Sequence, residues 1–209
     1  IGLQPAGDTG SYFQEVPLVE EKLIEGSAAV TLHLPSGELK LQYPQQFMMG
    51  PDALRASSAV TGEMVFVGYG IVAEEYGHDD YAGLDVAGKI VVALAGRPLG
   101  WPTEEGSHLG SGVEKARHAV ERGAIGRISL HTPREEATFP YADSLKYLHV
   151  PSMDWVAADG VPDGYQPQLQ GGAFFNLDAA ASLFTNSTVP LEDIFQADSE
   201  GTAVPRFAL

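Results

Sequence analysis

The chain has 209 residues, 44% of them hydrophobic, and no cysteine. That length fits one large domain able to bury a core without staples, and the missing cysteines exclude disulfides, thiol catalysis and thiolate metal sites. Twelve basic against 28 acidic residues give a formal charge of −16, which opposes nucleic acid binding and attachment to anionic membranes and favours solubility and cationic partners.

No apolar run approaches the ~20 residues of a membrane helix, so no membrane insertion is expected. No secretory leader is visible. The chain opens on Ile1, without an initiator Met, in what reads as the middle of a continuing sequence. A trimmed or processed fragment of a longer protein is therefore expected.

Residues 1–10 carry Gly, Pro and Asp and read as irregular. Residues 11–20 are a candidate strand that Pro17 confines to an edge. Residues 28–34 and 38–43 flank Pro35-Ser36-Gly37 and predict a β-hairpin. A short apolar patch at 47–50 and a lead-in at 54–60 follow. Residues 64–73 form an apolar β-type run holding Gly68 and Gly70 around Tyr69. Glycines inside a strand mark a bulge or a close backbone approach. Residues 89–95 form a continuous β-branched run, the pattern of a strand buried on both faces. Between the two runs lies an acidic, aromatic loop.

Residues 96–110 are rich in Gly and Pro and read as a loop carrying Trp101. Ser111 is a candidate N-cap for a helix over 112–122 that ends at Gly123. Residues 125–131 read as the next strand. Strand, helix and strand in that order predict a crossover and a sheet that is at least partly parallel. Residues 132–147 read as a long loop because of Pro133 and Pro140. A short strand is expected within 148–156, a Gly/Pro-rich loop over 159–172, helices over 178–185 and 191–197, and an extended tail over 202–209.

The central block VFVGYGIVAEEYGHDDYAGLDVAGKIVVAL (65–94) and the piece KARHAVERGAIGRISLH (115–131) resemble the protease-associated domain. That domain is an insertion in secreted di-zinc peptidases of the aminopeptidase Y, glutamate carboxypeptidase and transferrin receptor group. The segment GLQPAGDTGSYFQEVPL (2–18) resembles the lead into the insertion, and FFNLDAAASLFTNSTVPLEDIF (174–195) resembles its closing helices. The resemblance implies an α+β fold, with a bent, barrel-like mixed sheet and a few flanking helices. It implies a lead-in over 1–25, the domain over 26–200, and a linker over 201–209 toward a catalytic domain. It further implies a periplasmic or secreted location and a non-catalytic role as lid or substrate guide beside a peptidase active site. The partners implied are that catalytic domain and peptide or protein substrates. Two zinc ions are expected in the catalytic domain and no cofactor in this chain. The alternative is a stand-alone module that binds proteins or peptides. A phosphate-handling β/α domain is opposed by the lack of a basic or Gly-rich cradle.

The resembled enzymes use a His-x-Asp, a bridging Asp and a Glu-Glu pair to hold metals that activate water. His78-Asp79-Asp80 matches the first literally, and Glu-Glu pairs occur at 20–21, 74–75, 104–105 and 135–136. We read none of them as metal ligands. His78 lies inside a loop rather than directly after an apolar strand, an acidic chain holds such pairs by chance, and no ligand set at family spacing follows. Ser107 and His108 lie in a loop with no nucleophile elbow, which opposes serine catalysis. No catalytic or metal-binding residue is therefore expected. The loop residues Glu74, Glu75, Tyr76, His78, Asp79, Asp80 and Tyr81, with Trp101, are the candidate surface facing a substrate or the peptidase. A structural cation on the acidic side chains and simple packing of Tyr81 and Trp101 are the competing readings.

Overall fold

The computed structural model describes residues 2–209; Ile1, the first residue of the expected lead-in, lies outside them. The strands in chain order are β1 (Leu18–Glu21), β2 (Thr31–Leu34), β3 (Gly37–Lys40), β4 (Phe47–Met48), β5 (Met64–Phe66), β6 (Val72–Ala73), β7 (His78–Asp79), β8 (Ile90–Leu94), β9 (Gly126–Leu130), β10 (Ser152–Trp155), β11 (Gly172–Phe175) and β12 (Phe207–Ala208). The helices are α1 (Thr103–Leu109), α2 (Gly112–Glu121), α3 (Pro133–Thr138), α4 (Tyr141–Ser144), α5 (Leu177–Leu183) and α6 (Leu191–Glu200). The class is α+β, as the sequence implies.

A six-stranded mixed sheet in the order β12-β5-β8-β9-β11-β4 forms the centre. Strands β5, β8, β9 and β11 run parallel, and the edge strands β12 and β4 are antiparallel to their neighbours. Among the described residues the two edges do not pair, so the sheet is open and does not close into a barrel. The parallel pairing of β8 with β9 is the crossover expected from the strand-helix-strand pattern. Separate two-stranded ribbons pair β1 with β10, β2 with β3, and β6 with β7.

Alternation along the strands assigns the two faces. Phe66, Val92, Leu94, Ile128, Leu130 and Phe175 join one core with residues of α5 and α6. Val65, Val91 and Ala93 join the other with Ala119 of α2 and with Tyr81 and Val86. Val91, Val92, Ala93 and Leu94 are each no more than 1% exposed. That is the two-sided burial read from their continuous apolar run. The α2 helix starts where Ser111 accepts a hydrogen bond from the Glu114 N–H at 3.2 Å, as its cap signature predicts.

Several elements depart from the sequence reading, each for a local reason. The run 64–73 does not stay one strand, because the chain turns at 67–70 and splits it into β5 and β6. The loop read over 96–110 contains α1. Gly106 in its middle weakens the helical signal, yet a Cβ there would stand 2.6 Å from the Arg97 side chain, which crosses the helix at that point. The loop read over 132–147 contains α3 and α4. Pro133 acts as a first-turn residue rather than a breaker, and the Thr132 hydroxyl accepts from the Glu135 N–H at 3.2 Å. Strand β11 lies just past the Gly/Pro loop and was not expected. The tail at 202–209 supplies the edge strand β12.

Candidate functional site

The loop read as the candidate surface is built on a turn that the glycines permit. After β5 the Gly70 N–H donates to the Val67 carbonyl at 3.0 Å. Gly68 and Gly70 have φ of 64° and 71°, a region that L side chains enter at a cost. This turn wraps the Asp80 carboxylate, whose Oδ2 accepts the Tyr69 and Ile71 N–H groups at 3.0 Å each. A Cβ on Gly68 would stand 3.0 Å from Asp80 Oδ1. His78 Nε2 lies 3.0 Å from that same Oδ1. The loop is thus held through Asp80, and the short β6–β7 ribbon pairs the residues that flank 74–77.

Above this base the aromatic side chains meet. Tyr76 stacks on Trp101 with ring centres 4.7 Å apart and planes within 15°. His78 meets Trp101 edge-on at 5.2 Å. Tyr76 is exposed and Trp101 is half-buried against the core. Glu74 and Glu75 form an exposed rim in a single 3-10 turn closed by Gly77. The structure therefore joins Tyr76, His78 and Trp101 in one shelf, with the acids at its edge.

Asp80 and Tyr81 do not reach that surface. Both are buried, and the Arg122 guanidinium lies 4.8 Å from the centre of the Tyr81 ring. Burial pushes the Tyr81 hydroxyl above its ordinary pKa, and the neighbouring Arg122 opposes that shift. Asp79 stays exposed; its Oδ1 accepts the Tyr81 N–H at 2.9 Å and lies 3.8 Å from Arg122.

Beneath the shelf runs a polar cluster that sequence reasoning missed. Fully buried Asp198 accepts from the Tyr69 hydroxyl at 2.7 Å and from Arg134 Nη2 at 2.6 Å. Arg134 Nη2 also donates to the Arg97 carbonyl at 2.8 Å. Burial, then Asp198, pushes the Tyr69 hydroxyl up. Lys115 is buried and donates to the Leu94 and Gly96 carbonyls at 2.9 and 2.6 Å. Burial lowers its pKa to about 7, and a neutral amine has the two N–H donors that those carbonyls require. Residues 69, 115, 134 and 198 come from four separate elements, and no spacing in the sequence joins them. The one available signal was a lone Lys on the apolar side of α2.

Beyond Trp101 a cleft of about 430 Å³ opens between the segment after β8 and helix α3. Its walls include Arg97, Trp101, His131, Arg134, Glu135 and Phe174. It lies at the carboxyl ends of parallel strands β8 and β9, where open parallel sheets commonly receive ligands.

The residues present do not fit a di-zinc site. Among the described residues no group of three or more His, Asp or Glu side chains could hold a metal ion. In His78-Asp79-Asp80 the third residue is buried and engaged by backbone N–H groups, and the second points to Arg122. No helix is long and apolar enough to cross a membrane.

Fold and geometry together define an α+β domain with a partly exposed aromatic shelf and a neighbouring cleft. No protein-family model matches the chain, and no curated protein matches it. Among solved structures, it is similar to an aminopeptidase from Aneurinibacillus sp. strain AM-1 at 18% identity and a TM-score of 0.44. The match covers 82% of this chain and 30% of the aminopeptidase, so the chain spans less than a third of that protein's length.

Proposed function

We propose that this chain is a protease-associated domain serving a di-zinc aminopeptidase as a non-catalytic lid or substrate guide. The observation that carries the reading is how the resembling blocks fold. Residues 65–94 and 115–131 supply the adjacent parallel strands β5, β8 and β9 and helix α2, and the aromatic shelf stands on the turn leaving β5. A pre-stacked Tyr76–Trp101 pair offers flat apolar area whose geometry is already fixed. Aromatic contacts of this kind contribute about 0.5–1.5 kcal/mol each beyond area burial, enough to bias which peptides enter without holding them. The zinc chemistry would belong to the catalytic domain, and no step passes through this chain's own side chains. A periplasmic or extracellular location belongs to the same proposal.

The test uses the enzyme that carries this domain. Replacing Tyr76 and Trp101 together by Ala is expected to lower kcat/KM for peptides by about tenfold, which is ~1.4 kcal/mol. A single-residue nitroanilide, too short to touch the shelf, is expected to keep its rate. Equal losses on both substrates would mean that the shelf supports the fold rather than guiding substrate. Peptide capture by this chain, with no effect on any peptidase, would favour the stand-alone binding module instead.

A further inference from the structure

We infer that the cleft beside the shelf binds a cationic side chain of an extended polypeptide, an ammonium or guanidinium carried on an aliphatic stem. This inference does not need the peptidase reading.

The first observation is a buried ring nitrogen without a hydrogen-bond partner beside a carboxylate. His131 is 3% exposed, and its Nε2 lies 2.7 Å from the Glu136 carboxylate. A carboxylate only accepts, so Nε2 carries the hydrogen, and in the tautomer with that hydrogen alone Nδ1 is an acceptor. Among the described residues, that Nδ1 has no hydrogen-bond partner, and it faces Glu135 Oε2 at 3.7 Å. An unpaired buried polar atom is costly and calls for a partner. One N–H-bearing nitrogen at hydrogen-bond distance from both atoms would bridge them.

The second observation is where the local cations already stand. Arg134 is held by Asp198 and the Arg97 carbonyl. Lys115 is held by two backbone carbonyls. The Arg97 guanidinium donates to the Ser107 hydroxyl. Among the described residues no Arg or Lys nitrogen lies within salt-bridge distance of Glu135. Its carboxyl pKa is raised, chiefly by burial, which outweighs the opposing pull of His131, Lys115 and Arg134. Gly96 makes room for it, since a Cβ there would stand 2.9 Å from Glu135 Oε1.

The third observation is the wall. Leu99, Trp101, Phe139 and Phe174 give the cleft apolar and aromatic sides. A lysine or arginine stem packs on such surface while its head reaches a carboxylate, and aromatic faces attract the cation. The volume of about 430 Å³ falls within the ~300–1,000 Å³ of small-ligand sites and suits one side chain rather than a folded partner. The overall charge of −16 draws cationic chains toward the surface.

The experiment titrates this chain, followed by NMR, with Nα-acetyl-lysine amide and Nα-acetyl-arginine amide. The controls are their neutral counterparts, Nα-acetyl-norleucine amide and Nα-acetyl-citrulline amide, and the acidic Nα-acetyl-glutamate amide. The cationic probes are expected to bind with Kd near the millimolar range, at least about tenfold tighter than the neutral ones. Glu135→Gln, which keeps the shape, is expected to remove that preference while the unfolding midpoint shows the fold intact. Equal binding of charged and neutral probes, no binding of any, preference for the acidic probe, or full retention in Glu135→Gln would each overturn the inference. Because no peptidase enters the assay, its failure leaves the accessory role standing, and failure of that role leaves this site standing.

Discussion

Strands β5, β8 and β9 and the β1–β10 ribbon are both hydrogen-bonded sheet, and almost everything else about them differs. The central strands lie between two packed layers, and Phe66, Val91, Val92 and Leu94 are 0% exposed. In the ribbon every β10 residue is exposed, with Trp155 at 48% and Met153 at 62%. Backbone pairing alone leaves a two-stranded ribbon marginal in water, so the difference in stability comes from burial. The candidate shelf stands on the buried region: Tyr76 is exposed and His78 and Trp101 are half-buried, whereas Asp80 and Asp198 are buried.

Substitutions make the comparison measurable. The largest effect is expected for Phe66→Ala, which opens a cavity under α5 and costs about 3–5 kcal/mol. Trp155→Ala on the ribbon should change stability by less than about 1 kcal/mol. Urea unfolding midpoints of the two variants check this, and a comparable loss for Trp155 would show that the ribbon belongs to the core. Asp198→Ala comes next, at about 3 kcal/mol, because it strips Arg134 and Tyr69 of their shared partner. Gly68→Ala follows at about 2 kcal/mol. It combines a positive φ with a Cβ pressed on the Asp80 carboxylate, and the same unfolding measurement reads it.

A further expected effect is one of pH. Lys115 has a folded pKa near 7, lowered by burial, against about 10.4 in the unfolded chain. Between these values the unfolded state binds the extra proton, so this group makes stability rise with pH across that window. Below about pH 7 both states are protonated and the dependence vanishes. The stability of wild type relative to Lys115→Met is therefore expected to improve from about pH 7 to about pH 10. A flat difference would mean that the amine is not desolvated in the folded chain.

The same contrast governs how much could be read from the sequence. Strand β8 was legible because Val91, Val92, Ala93 and Leu94 are apolar on both faces, and α2 because Ser111 and Gly123 punctuate it. The α1 and α3 helices were hidden by Gly106 and Pro133, residues kept for a side-chain crossing and a first turn rather than for helix propensity. In the loop at 74–81 the sequence allowed packing of Tyr81 as one reading, but Tyr76 and Tyr81 sit five positions apart in similar company, and one is exposed and one is core. What divides them is the turn around Asp80, a contact between residues 68 and 80 that no local pattern encodes. The cluster of Tyr69, Lys115, Arg134 and Asp198 depends on tertiary proximity alone. So does the pairing of His131 with Glu135 and Glu136, although Glu135-Glu136 had been noted as a pair.

The most direct measurement is an assay of the purified chain against aminoacyl-nitroanilides, with zinc added and with chelator. An accessory domain is expected to show no turnover above the blank in either condition. Zinc-dependent turnover that disappears in Asp80→Asn would contradict the account, because it would place hydrolytic chemistry on the residues assigned here to holding the loop.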